Sequence, residues 1–109
     1  KGIEYAILTD EISKSWAGLT TKEYKKLKDL KKENLRDNMT NLELVLNMLA
    51  EASTTEISKQ KEPETFEENK TVARQGGQVA NAARKQLEET TGKKVVTSKN
   101  AKSMKEIKE

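Results

Sequence analysis

Histidine and cysteine are both absent from this 109-residue chain, which also holds one proline, five glycines and only four aromatic residues. Without cysteine and histidine there is no disulfide framework and no Cys/His metal site. General acid–base and nucleophilic chemistry are left with few candidates. Paired carboxylates such as Glu67-Glu68 and Glu88-Glu89 are adjacent in sequence, so on a helix they point to different sides and form no dyad. No apolar run approaches membrane-spanning length, and no signal-peptide pattern is visible. Asn38-Met39-Thr40 and Asn69-Lys70-Thr71 match the glycosylation sequon, which without a secretory signal reads as coincidence. The chain starts Lys-Gly rather than with Met, so it is expected to be a piece of a longer protein.

What is present is helix signal and charge. Apolar residues make up 33% and charged residues 36%, which predicts a small domain with a thin core that leans on a partner. A first helix is predicted over about 3–15, with Tyr5, Leu8, Ile12 and Trp16 at helical spacing and Gly18 ending it. Trp16 fits a core or lid position; a stacking contact with a partner is the other option. Thr20 with Glu23 forms a capping box that starts a second helix, expected to reach about Leu35. Thr40 with Glu43 starts a third. There Leu42, Val45, Leu46, Leu49 and Ala52 form a stripe that Leu44 and Met48 widen around the helix, which predicts a central position. Thr54, Thr55 and Ile57 weaken its end, and 59–63 reads as a linker.

Thr65 with Glu68 opens a long fourth helix to about Thr91, with Gly92 as its stop. Phe66, Val72, Ala73, Gly76, Val79, Ala80, Ala83 and Leu87 fill one arc. Within it Val72, Gly76, Val79, Ala80, Ala83 and Leu87 form a candidate packing or dimer seam. Gly76-Gly77 suits close helix approach, with a break into two helices as the alternative. Thr91-Gly92-Lys93-Lys94 lacks the earlier glycine and the following Ser or Thr of a phosphate loop, and is a helix cap. The expected fold is all-α: four to five helices with one long helix over about 65–91, an intertwined dimer being an option. Residues 1–92 form the helical domain. Residues 93–109 form a basic tail with a short extended segment at Val95-Val96-Thr97 and a weak terminal helix after Asn100.

Charge is segregated. From Lys14 to Arg36 eight basic residues face three acidic ones; from Asp37 to Thr71 the ratio is three to eight; from Val72 to Glu109 it is nine to four. Two basic segments flanking an acidic one suit nucleic acid or an acidic protein, though solvated lysine faces look the same. The candidate contact residues are Lys25, Lys28, Lys32 and Arg36 on the second helix, and Arg74, Gln78, Asn81 and Lys85 on the fourth.

Two blocks, KKENLRDNMTNLELVLNMLAEASTTEISK (31–59) and TFEENKTVARQGGQVANAARKQLEETTGKKVVTSKNA (65–101), resemble the C-terminal part of the DNA-damage-inducible protein D family. SKSWAGLTTKEYKKLKDL (13–30) fits as well, so the resemblance spans most of the chain. It implies a cytoplasmic bacterial or phage protein of the DNA-damage (SOS) response, with a separate N-terminal domain related to phage antirepressors. It also implies modulation of recombinase filaments on single-stranded DNA, with no catalytic residue to carry over. The expected function is therefore a non-enzymatic helical interaction module acting through protein or DNA contacts. The expected partners are single-stranded DNA, a recombinase filament and a second copy of the chain, with no cofactor, membrane or small-molecule substrate. The alternative is a dimerisation domain of an antirepressor-like DNA-binding regulator whose N-terminal domain does the recognition. A hydrolase completed by an absent domain is a third option, which requires acidic residues gathered around a divalent metal.

Overall fold

The computed structural model describes the backbone of residues 2–108 and the side chains of residues 2–104. Five α-helices follow in order: α1 (Gly2–Ala17), α2 (Thr21–Leu27), α3 (Asn41–Lys61), α4 (Phe66–Thr91) and α5 (Ala101–Lys108), with a 3₁₀ turn at Arg36–Asn38. No strand occurs among the described residues. The all-α expectation, including the long helix, is what the fold shows.

The three capping boxes start the helices they were expected to start. The Thr20, Thr40 and Thr65 hydroxyls accept from the amides of Glu23, Glu43 and Glu68, whose carboxylates reach back to the threonine amides. Each box satisfies two amides that the first helical turn would otherwise leave unpaired. The stops were less legible. α2 ends at Leu27, not near Leu35, because Asp29 turns left-handed (φ 59°). The Leu30 amide then reaches back to the Lys25 carbonyl and the Asp29 amide to Lys26, a Schellman closure. Aspartate is one of the few residues besides glycine that accepts this conformation. α3 runs through its β-branched stretch to Lys61, with the Thr54 and Thr55 hydroxyls bonded back to the carbonyls of Ala50 and Glu51. Glu62 (φ 47°) and Pro63 end it. Gly92 (φ 74°) caps α4 as expected.

The central helix is α4, not α3. α3 and α4 form an antiparallel hairpin, and α1 lies along the other flank of α4; α1 and α3 touch each other only slightly. Gly76-Gly77 causes no break. A Cβ on Gly76 would stand 2.7 Å from the Thr54 backbone of α3, and one on Gly77 would meet Ser15 and, at 3.0 Å, the Ile12 carbonyl of α1. Two adjacent glycines thus let two helices approach the same level of α4 from two sides. The seam closes within the chain: Val72, Gly76 and Ala80 are buried, Ala83 and Leu87 pack against the core, and Val79 remains 45% exposed.

Because α1 and α3 diverge from their shared contact with α4, the body is thin and open at one end. Its Cα radius of gyration is 14.5 Å, against about 13 Å for a domain of this length. The core fills the closed end: Trp16, Tyr24, Met39, Leu46, Ala50, Ala80 and Val95. Trp16 is a core residue. Its ring lies 6.2 Å from that of Tyr24, and its Nε1 donates to Asn47. Val95 is 6% exposed, so the start of the expected tail belongs to the core.

Two outcomes follow. Gly76→Ala forces a side chain onto fixed Thr54 backbone, an overpacking cost of about 1–3 kcal/mol set against a helix-propensity gain of about 1 kcal/mol. Urea denaturation should show a net loss, and an unchanged midpoint would contradict the close approach. Secondly, Glu23 and Glu68 are held below the ordinary 4.5, chiefly by the backbone amides they cap: Thr20 for Glu23, Glu64 and Thr65 for Glu68. A carboxyl lowered by folding contributes stability that is complete above 4.5 and is lost as pH falls through its folded value. The thermal unfolding midpoint should therefore fall below about pH 4.5, and Glu23→Gln with Glu68→Gln should flatten that slope.

Candidate interaction surface

The candidate contact residues start from different helices, and the fold sorts them into three places. Lys28 leaves the set because its side chain is fully buried. The basic strip expected along 25–36 assumed a continuous helix, and the stop at Asp29 turns the strip apart. Lys25 and Arg36 line an open cleft of about 620 Å³ between α1 and α3, whose floor is Val72 and Ala73 of α4. Arg36 pairs there with Glu51 at 2.5 Å. Lys32 is exposed on the loop after α2. On α4, Arg74 reaches Glu11 of α1 at 3.2 Å, Gln78 donates to the Ser15 hydroxyl, and Asn81 accepts from Arg84. That strip is largely spent on holding α1, with Lys85 exposed beyond it.

Lys28 instead anchors a buried polar junction that joins distant parts of the chain. Its ammonium donates to Glu43 Oε1 at 2.7 Å, to the Thr97 carbonyl at 2.9 Å and to the Lys99 carbonyl at 2.5 Å. All three protons of the ammonium have acceptors. Glu43 is equally complete: Oε1 also accepts from the Thr40 amide, and Oε2 accepts from the Tyr24 hydroxyl and the Thr97 amide. Burial, followed by the bond to Glu43, pushes the Tyr24 hydroxyl far above its ordinary value, so it stays a donor. Among the described residues no buried side-chain polar atom lacks a partner.

Amide side chains extend the junction outward. Asn100 Nδ2 donates to the Lys28 carbonyl at 3.0 Å, and Asn38 Oδ1 accepts from the Ala101 amide at 2.8 Å. Glu88 ties the preceding stretch down by accepting from the Val95 amide and from Arg84. Burial pushes the Glu88 carboxyl up, but those donors outweigh it and hold it below 4.5.

The consequence is electrostatic. The segment 97–102 is laid beside the loop 28–38, so the stretch that carries exposed Lys99 and Lys102 is tied next to the one that carries exposed Lys31, Lys32 and Arg36. Asp29, Glu33 and Asp37 are the acidic residues of the same loop. Glu33 is turned toward the backbone, accepting from the Lys31 and Lys32 amides. Two basic segments that are about 70 residues apart in the chain are thus brought side by side.

Sequence reasoning missed Glu43, Asn38, Thr97 and Asn100. One signal existed for Glu43: it shares a helix face with Leu46 and Ala50, a charged residue among apolar ones. No group of three or more His, Cys, Asp or Glu is placed to hold a metal among the described residues, and no described helix is long and apolar enough to cross a membrane. No family model, curated protein or solved structure matches the chain.

Removing one partner of a buried pair leaves an uncompensated charge, worth about 3–5 kcal/mol. Lys28→Met should lose stability on that scale and speed hydrogen exchange at the Thr97 amide. Lys28→Met with Glu43→Leu should recover part of the stability in a denaturation curve. A single variant as stable as the parent would contradict the junction.

Proposed function

We propose that this chain is a non-enzymatic helical interaction module of a DNA-damage-response protein, making electrostatic contact with single-stranded DNA. The observation that carries it is that the Lys28–Glu43 junction, with the Asn38 and Asn100 bonds, brings two basic segments side by side. The resemblance to the DNA-damage-inducible protein D family supplies the context. Lys31, Lys32, Lys99 and Lys102 are the contact residues, with Lys25 and Arg36 at its margin. Arg74 and Gln78 are not assigned to DNA, since they hold α1, nor is Asn81, which is bonded to Arg84 and Gln78 within α4. A surface of lysines without an aromatic platform favours phosphate contact over base reading.

The test is fluorescence anisotropy of a labelled single strand titrated with this chain at two salt concentrations. For four phosphate contacts the logarithm of affinity should fall by about three units per tenfold rise in salt. Reversing charge at Lys31, Lys32, Lys99 and Lys102 should abolish binding, while Lys85→Glu should reduce it little. No binding at low salt, or binding untouched by salt, would refute the DNA contact. Binding only to a strand already coated with recombinase would move the assignment to the filament.

A further inference from the structure

α3 is apolar on two opposite sides, and the described residues cover only one of them. Glu43, Leu46 and Ala50 face the interior. Directly opposite, Leu42 is 46%, Val45 58%, Met48 52% and Leu49 36% exposed, and Ala52 continues the row outward. From Asn41 to Ala50 the single charged residue is Glu43, which is buried and paired. The outer face thus runs nearly three turns without a charge, in a chain whose residues are 36% charged. Scattered apolar residues are ordinary on a surface; a contiguous row of this kind marks an interface.

We infer that this face pairs with the same face of a second copy of the chain, the two α3 helices running antiparallel. The spacing Leu42, Val45, Leu49, Ala52 alternates three and four residues, the seam by which two helices interlock. An uncharged face meets its own copy without like-charge repulsion, as a two-fold interface requires. Glu56, the next residue of the row, chooses the direction. A parallel pair sets Glu56 against Glu56. An antiparallel pair centred between Met48 and Leu49 sets Val45 against Ala52 and brings Glu56 to Asn41 of the second copy. There the exposed amides of the first turn of α3 attract a carboxylate. Lys59, 3.6 Å from Glu56 within its own helix, tempers its charge. This surface is separate from the basic one and needs no nucleic acid.

The test is sedimentation or light scattering of the chain alone from about 1 µM to about 500 µM, a range over which mass action populates a weak dimer. The expected result is a mass that doubles with concentration and stays single for Val45→Lys with Met48→Lys. Both sites are half-exposed, so circular dichroism should show the variant folded. The chain has no cysteine, so single substitutions report direction. Met48→Cys lies near the two-fold axis and should oxidise to a covalent dimer. Leu42→Cys, displaced by about 20 Å from its counterpart in an antiparallel pair, should not, nor should Val79→Cys. A mass that stays single at the top concentration overturns the proposal and leaves the face to a different protein. A dimer that survives the lysine variant overturns it by locating the contact elsewhere. Equal oxidation at Leu42→Cys and Met48→Cys overturns the antiparallel arrangement.

Discussion

A lysine and a glutamate with no access to solvent hold this fold in register. Lys28 sits just past the end of α2, Glu43 in the first turn of α3, and the segment around Thr97 lies between them and the solvent. Neither charge can be buried alone, and each has every bonding position occupied. A buried ion pair is not in itself a source of stability, since desolvation offsets its attraction. What it imposes is arrangement: only when α2, α3 and the C-terminal segment are all in place are the donors and acceptors matched. In a body this thin, with few large apolar residues to set register by shape, that requirement is decisive.

The second constraint is the glycine pair in α4. In a solitary helix two adjacent glycines weaken the middle. Here they remove the side chains that would keep α1 and α3 away, so the longest helix becomes a spine flanked on two sides. This also explains which side of α3 turns inward. Leu42, Val45 and Leu49 form the more apolar row, but it is the Leu46 and Ala50 side that the core takes up, with Ala50 fully buried. Alanine fits where Gly76 and Ala80 bring the two helices close. The richer row remains outside.

What was legible in the sequence was local chemistry. The three Thr–Glu capping boxes, the terminal Gly92, the uninterrupted 26-residue α4 and the small residues along it all follow from spacings of a few residues. What was not legible depends on partners far along the chain. The stop at Asp29 uses an aspartate where glycine is the usual sign. Lys28 looks like every other lysine in its stretch until Thr97 and Lys99 are brought to it. Periodicity put Leu42, Val45, Leu46, Leu49 and Ala52 in one stripe, of which only Leu46 is buried, because it weighs hydrophobicity and is blind to how closely two backbones approach. The same blindness applies to the α4 polar strip, where Arg74 and Gln78 bond the neighbouring α1 and Asn81 bonds Arg84 of its own helix.

The bonds from Lys28 to the carbonyls of Thr97 and Lys99 span 69 and 71 residues. On the ribosome both charged partners emerge well before the segment that shields them, and domains fold largely as units. Until that segment arrives, the ammonium and carboxylate must stay hydrated, and the floor beneath Val95 must stay open to water. Cooperative closure is thereby deferred until residues 97–99 have been made, and a polypeptide cut short before residue 97 would carry an unsealed interior.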